Sequence, residues 1–592
     1  MSRLWIAEGR LDEIAWGEAS AAELGLRFVA EPDVDPAPKH ERCPPPRAFQ
    51  LARLTTLGFG PHGERAAAAP AGGDFEAMQA LLRIDPLQAS RIVITTKRAL
   101  RAAMRRRHAA RLTALATDGL YQSNPAASAK VLDFRVGSLV ATALFLFATA
   151  SLIALLAGWV SPTGFAIQSL FLLLALIRVL AAISPDFVTG FGRTLPERPP
   201  DAELPTYAVL VPLYREPEIV AQLLAGLAAL RYPADRLEIL LLIEADDDAT
   251  RAELARHAIP ARIEVVLIPP SQPRTKPKAL NFALATTGAE LITIFDAEDK
   301  PDARQLLKAA AVFADGDHRL GCLQASLVID HAADARSWVS DQFQAEYLAH
   351  FDGLLPWIGR LGIPFPLGGT STHLKRAAID GVGGWDPHNV TEDADLGMRL
   401  ATMGWTMDWL PSWTLEEAPL RFKPWLRQRT RWLKGWMVSW LVAMRHPRRF
   451  WRTTGPRGAI GLHVLIGGAL MTALAFPLSL FTMIGALTGL LPLLAQRSFI
   501  GDLWLAVCIW TFLGGWLGPM ALSVTAGRRR RRPVRLWTLL TMPVYWCWMS
   551  IAMVAALREL IIDPHRWNKT SHGIASRPAP RPSPPTSAPK TR

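Results

Sequence analysis

The sequence predicts an α/β domain inserted between transmembrane helices, with a smaller α/β module ahead of them. Half of the 592 residues are hydrophobic and the mean hydropathy is +0.16, too apolar for an ordinary soluble chain. Several apolar stretches reach the roughly 20 residues with which a helix crosses ~30 Å of hydrocarbon, and they flank the middle of the chain on both sides. Between them, short apolar runs alternate with segments of helical period, the pattern of buried strands joined by helices.

Met1–Gly25 mixes Glu8, Arg10 and Asp12 with no apolar run, so no short cleavable signal is expected there. Two spans, Gly137–Val160 and Phe165–Ile183, fall within residues 131–187. In the central region, 200–420, Tyr207–Leu213, Leu237–Ile243, Ile263–Ile268, Leu291–Phe295 and Leu320–Ile329 read as strands. Ile219–Leu230 and Arg304–Phe313 read as helices. Buried parallel strands with crossover helices imply a doubly wound sheet that binds ligands beyond the carboxyl ends of its strands.

Residues 421–452 read as amphipathic interfacial helices. Trp425, Trp432, Trp436 and Trp440 share a face, with Arg427, Arg431 and Lys434 nearby. Three or four membrane segments follow over 458–560. Gly461–Leu491 is either one tilted helix kinked at Pro477 or a tight hairpin. Leu503–Ala526 is a span, and Val534–Leu557 carries Pro543 with Tyr545, Trp546 and Trp548, suited to an interfacial aromatic belt. Residues 574–592 are Pro/Ser-rich and expected to be disordered.

The net charge is +13, but Arg105–Arg107, Arg445–Arg452 and Arg528–Arg532 flank apolar segments, which argues for a lipid bilayer and against nucleic acid as partner. The same clusters make the side of the central domain cytoplasmic. Five spans would then put Arg558–Arg592 outside despite its basic residues, so either Gly461–Leu491 is a hairpin or the last segment does not cross. Cys43, Cys322, Cys508 and Cys547 have no metal spacing and read as small apolar residues of a reducing compartment.

Four short motifs carry the chemistry. Glu244, Asp246 and Asp247 follow the second strand and Asp296 and Glu298 the fourth; Thr391–Asp393 reads TED and Gln428–Trp432 reads QRTRW. Paired acids at strand ends suit a metal and a nucleotide, a lone Asp on a loop suits a general base, and Arg beside Trp suits a charged ligand that stacks. One acidic strand end alone would read as a solvated turn or a helix cap. Two at the same sheet edge argue for a site.

In this order the motifs resemble those of the membrane-embedded, processive family 2 glycosyltransferases, which include the cellulose, chitin and hyaluronan synthases, here of the bacterial exopolysaccharide type. The resemblance implies an α/β GT-A (Rossmann-like) domain that transfers a hexose, with inversion, from a nucleotide-sugar donor. UDP-glucose or UDP-N-acetylglucosamine is the expected UDP-sugar, with a divalent metal, Mg²⁺ or Mn²⁺, beside it. It implies donor contacts from Glu244, Asp246, Lys276, Asp296, Gln428, Arg431 and Trp432, Lys276 being placed by the Leu280-Asn281-x-Ala283-Leu284 that follows. Lys278 stays open between a solvated lysine and a part of the site. Asp296 and Glu298 stand where the family's Asp-X-Asp holds the metal, and Asp393, between GVGGWD and DLGMRL, where it has its base. Gly369 and Thr370 of the Gly368-containing turn FPLGGTST, with Glu392 and Trp432, are the expected acceptor contacts.

The expected product is an exopolysaccharide made at the bacterial inner membrane and passed to a secretion partner, as in biofilm formation. The rival is transfer of a single sugar to a polyprenyl phosphate, and a second alternative is a non-catalytic membrane receptor or scaffold. Within residues 1–110, LGLRFV, Pro36–Pro46 and ITTKRALRAAM resemble the N-terminal domain of type II secretion ATPases, a small cytoplasmic module. Some relatives of that module bind cyclic di-GMP through a repeated Arg-Leu-Gly and Leu-rich motif that is not found here. Arg528–Arg532 reads as a cytoplasmic charge anchor, and Trp567–Gly573 resembles a Trp-x-Lys-Thr-x-His-Gly ending of bacterial transferases.

Overall fold

The computed structural model describes residues 5–566 apart from 7, 39, 58–65, 71–72, 133–161, 185–194, 332–335 and 488–498. The expected span Gly137–Val160, the ending Trp567–Gly573 and the tail lie outside the described residues.

A small module comes first. Its strands β1 (Arg27–Phe28), β2 (Leu54–Thr56), β3 (Ala66–Ala68) and β4 (Ile92–Ile94) pair in the order β1-β4-β3-β2. Helix α1 (Lys97–Arg107) starts where the Thr96 hydroxyl accepts the Ala99 N–H at 3.1 Å, satisfying one of the free donors of its first turn. The arginines of α1 do not face a membrane, contrary to the sequence reading. Arg101 is buried against Glu238 at 2.9 Å and Glu264 at 3.1 Å, Arg105 pairs with Glu264, and Arg107 holds Glu41 at 2.6 Å. Helix α2 (Ala109–Ser123) leads to residues 125–131, which Arg445 grips through the carbonyls of Pro125 and Ala126, 3.1 Å each, and Ser128, 2.7 Å. The Ser128 hydroxyl donates to the fully buried Asp386 at 3.2 Å.

Eight strands form the central sheet: β5 (Tyr207–Leu213), β6 (Leu237–Glu244), β7 (Ile263–Ile268), β8 (Leu291–Ile294), β9 (Lys300–Pro301), β10 (Leu320–Ile329), β11 (Thr372–Lys375) and β12 (Thr406–Glu416). Their order is β7-β6-β5-β8-β11-β10-β12-β9. The apolar runs predicted as strands fall on β5, β6, β7, β8 and β10, because strands covered on both faces are apolar throughout. The sheet is mixed rather than wholly parallel: β11 runs antiparallel to β8 and β10, and β9 antiparallel to β12. The N-terminal module covers the β7 edge, where Arg98 donates to the carbonyls of Ala261 and Ile263 at 3.0 Å each.

Among the other helices, those that build the site and the apolar half are α3 (Pro162–Ile183), α4 (Lys276–Leu284), α5 (Trp338–Tyr347), α6 (Glu392–Thr402), α7 (Phe422–Ala443), α8 (Gly468–Leu487), α9 (Phe499–Arg529) and α10 (Met542–Ile562). Pro447–Pro477, Leu505–Arg529 and Met542–Ile562 are long and apolar enough to cross a membrane. Helix α8 continues through Pro477 to Leu487, so the hairpin alternative finds no turn in that stretch. Two charges read as membrane-facing are instead committed to protein. Arg530 holds the fully buried Asp352 through two bonds, 2.9 and 2.6 Å, and Lys434 is fully buried with Glu559 at 3.0 Å and the Arg566 carbonyl at 2.8 Å. Helix α10 runs beside α7 and is tied at both ends. Thr541 accepts the Trp338 indole N–H at 2.7 Å before its start, and His565 meets the His388 carbonyl at 3.0 Å past its end.

Removing one partner of a buried ion pair leaves an uncompensated charge, at a cost of about 3–5 kcal/mol. Glu264→Ala, which strands Arg105, is expected to lower the melting temperature and expose residues 124–131 to limited proteolysis. Unchanged melting and cleavage would show that these pairs do not hold the module on the sheet.

Candidate active site

Strands β6 and β8 flank β5 and run parallel to it, so Glu244 and the loop Phe295–Asp299 emerge at the same carboxyl edge of the sheet. Asp299, which the sequence reading passed over, folds that loop. Its carboxylate accepts the Asp296 N–H at 3.0 Å and the Thr370 hydroxyl, joining the loop to the glycine-rich turn. Burial, and then the charge of Asp296, pushes Asp299 up to about 7. Burial pushes Glu298 well above the carboxylate range, with Asp296, Asp299 and Glu216 adding to it.

At the start of α4, Lys276 pairs with Asp296 and donates to the Gly369 carbonyl at 2.8 Å. Burial works against its charge, but Asp296, Glu392 and Asp393 outweigh it and raise the ammonium above its usual value. Lys278 is not solvated: it is fully buried and pairs with Glu244 at 2.6 Å. The second oxygen of Glu244 has no hydrogen-bond partner among the described residues.

Glu392 and Asp393 occupy the first turn of α6, where the helix dipole favours a carboxylate. Burial opposes it. It raises Asp393, whose Oδ1 accepts the Ala394 N–H at 2.7 Å, and together with Asp393 it pushes Glu392 up to about 7. Gly369 has φ +68°, and a Cβ there would lie 2.8 Å from Asp393 Oδ2, so the turn expected to meet an acceptor sugar also backs the expected base.

Helix α7 brings the Arg-Trp motif to the same place. A Cβ at Gly435 would collide with Thr391, which fixes how closely α7 approaches the TED loop. Gln428 is buried, and its Oε1 and Arg431 Nε lack partners among the described residues. Arg429, not singled out in the sequence, lies 4.5 Å over Phe343 and 4.6 Å over Trp432 while gripping Glu346 at 2.8 and 2.6 Å. It sets the plane of Trp432.

All the expected site residues except Asp246 line one cavity of about 520 Å³. Asp246 stands at the rim, 2.7 Å from Arg274, which does line it. Sequence reasoning also missed Glu216, Glu346 and Glu416. Glu416, at the end of β12, is pushed well above its usual value by burial and then by Asp299 and Asp296. Glu216, Glu346 and Glu416 are short polar breaks in otherwise ordinary runs, and nothing in their spacing marks them. Among the described residues no three His, Cys, Asp or Glu side chains are grouped to hold a metal by themselves.

The model of the Glycosyl transferase family 2 matches residues 208–337 and that of the Glycosyl transferase family group 2 matches 291–557. The chain carries family 2 glycosyltransferase domains. The mixed sheet with acidic strand ends is their GT-A fold. Among curated relatives, "Probable glycosyltransferase YdaM" of Bacillus subtilis is 28% identical over 252 residues, 41% of this chain and 59% of that protein. "Beta-monoglucosyldiacylglycerol synthase" of Synechocystis sp. is 27% identical over 415 residues, 69% and 81% of the two chains. "Cellulose synthase 1" of Komagataeibacter xylinus is 26% identical over 258 residues, 41% and 15%. A solved structure, mannosyltransferase PcManGT from Pyrobaculum calidifontis in complex with GDP-Man and Mn²⁺, is 18% identical with a TM-score of 0.44, covering 67% of this chain and 99% of that one.

A carboxyl group held at about 7 in the folded chain, against 4.5 for ordinary Glu, binds more protons folded than unfolded. Its stabilising contribution is complete below the unfolded value and is lost as pH rises through 7. The melting temperature of the purified protein is therefore expected to fall between pH 5 and 8 by this route, and Glu392→Gln to flatten the fall. An equal slope in the variant would remove Glu392 as its source.

Proposed function

We propose that the chain is an inverting glycosyltransferase of the bacterial inner membrane that polymerises a hexose, from UDP-glucose or UDP-N-acetylglucosamine, into an exopolysaccharide whose synthesis is coupled to secretion. One observation carries this reading: Asp296, Asp393, Arg431 and Trp432, from motifs far apart in sequence, line one cavity. The likeness to the relative named cellulose synthase supports it.

In this reading Asp393 takes the proton of the acceptor hydroxyl as that oxygen bonds to the anomeric carbon of the donor and the bond to the diphosphate breaks. Its raised affinity for protons suits a base, and the charge of Lys276 works against that rise. Lys276 and Arg431 oppose the charge that collects on the leaving diphosphate. Trp432, held flat by Arg429, stacks under the terminal sugar of the acceptor. The residues fit a divalent cation. Asp296 and Glu298 sit among carboxylates that burial and mutual repulsion leave short of positive charge, and two carboxylates plus donor phosphates are a common set for Mg²⁺ or Mn²⁺. Such a cation would neutralise the diphosphate as it leaves.

A second reading, transfer of one sugar to a lipid, is favoured by the apolar walls of the membrane half of the cavity and by the likeness to a relative named for a glucosyldiacylglycerol. As to topology, the bonds from both ends of α10 to the catalytic side support the alternative in which this last segment does not cross.

Purified protein with Mn²⁺ and a panel of UDP-sugars is expected to release UDP and yield a high-molecular-weight product from one donor. Asp393→Asn should lower turnover at least ~100-fold with UDP binding intact, and Trp432→Ala should shorten the product. Normal turnover in the Asn variant would remove Asp393 as base, and a lipid-linked monosaccharide as sole product would decide for the second reading.

A further inference from the structure

The membrane half of the cavity is built differently from its catalytic half. Phe171, Leu174 and Ala175 of α3, Phe476 of α8, and Phe512 and Leu522 of α9 line it. The hydroxyls there are already used: Thr472 donates to the Gly468 carbonyl at 2.7 Å, Thr511 to the Gln168 carbonyl at 3.4 Å, and Ser479 accepts from Gln168 at 3.3 Å. A sugar entering this region would find few partners for its own hydroxyls, whereas an alkyl chain would lose only water.

Where the two halves meet stands Arg178, in the last turns of α3. An ionisable side chain on a membrane helix normally faces a partner or a ligand. Arg178 makes no hydrogen bond or ion pair with any described residue, is mostly buried, and lines the cavity. The acid that faces it, Glu346, already receives both ends of the Arg429 guanidinium and the Tyr545 hydroxyl at 2.8 Å. His350, also lining the cavity there, is pushed down to about 4 by burial and by Arg178 and Arg429, so at neutral pH it adds no charge. Among the described residues two guanidinium groups thus face one carboxylate at this junction, which is bonded to only one of them, leaving one positive charge over.

We propose that this junction binds an anionic amphiphile, its alkyl chain lying between α3, α8 and α9 and its phosphate headgroup held by Arg178. The ligand's place in the reaction, as the membrane-borne primer whose free end faces Trp432, rests on the transferase reading. The binding itself does not.

The test compares phosphatidic acid with diacylglycerol of the same acyl chains, and with inorganic phosphate, on the full chain released from detergent into native mass spectrometry. Wild-type protein is expected to retain phosphatidic acid about ten-fold more than diacylglycerol, as a charged hydrogen bond implies. Arg178→Gln should lose that preference and Arg178→Lys keep most of it. Equal retention of the two lipids by wild type would overturn the proposal, as would an undiminished preference in Arg178→Gln. Displacement of phosphatidic acid by millimolar inorganic phosphate would do so too, since the site would then take the free anion. Mn²⁺-dependent UDP binding, measured on the same preparations, reports on the transferase reading alone and doubles as a check that each variant is folded.

Discussion

Too many carboxylates in too little water is the condition around which this molecule is arranged. Glu244, Asp296, Glu298, Glu392, Asp393 and Glu416 all line one cavity, and burial raises most of them. Lys276 reaches Asp296 directly and feels Glu392 and Asp393, while the fully buried Lys278 serves Glu244. Isolated negative charges cannot persist in such a place. Such a site suits a cation and a polyphosphate, whose charges would offset one another within it.

The scaffold brings these groups together with helix ends and strand ends rather than with long loops. Strands β6 and β8 deliver two acidic turns, α6 delivers the expected base in its first turn, and α4 delivers Lys276 in its own. What locks them is side-chain traffic between elements distant in sequence: Asp299 to Thr370, Gly369 against Asp393, Gly435 against Thr391. Helix α7 then ties the site to α5 through Arg429 and Glu346 and to α10 through Lys434 and Glu559.

How much of this the sequence displayed depends on the physics of each residue. Strands buried on both faces announce themselves as unbroken apolar runs, so β5, β7 and β10 were legible to the residue. Strands β11 and β12 were not, because each spends polar residues on internal bonds, as His373 does with Tyr207 and Gln305, and Gln305 with the Trp413 carbonyl. The acidic strand ends, TED and Gln-x-x-Arg-Trp stood out because resemblance fixes their order, and most of their residues meet in one cavity. Arg105, Lys434 and Arg530 were misread for a single reason. Charge next to apolar sequence looks the same whether its partner is a lipid phosphate or a buried acid, and the acids here lie on other elements.

The grip of Asp386 on Ser128, and of Arg445 on the carbonyls of residues 125–128, has a consequence beyond local order. Asp386 also caps the His388 N–H at 3.0 Å, at the head of the loop that ends in Asp393, so the tether of the N-terminal module and the base share one anchor. Thermodynamic linkage makes such an anchor symmetrical. Whatever free energy donor or acceptor gives to ordering that loop also tightens the hold on the tether, and a ligand that pulled the module away would be opposed by occupancy of the cavity to the same degree.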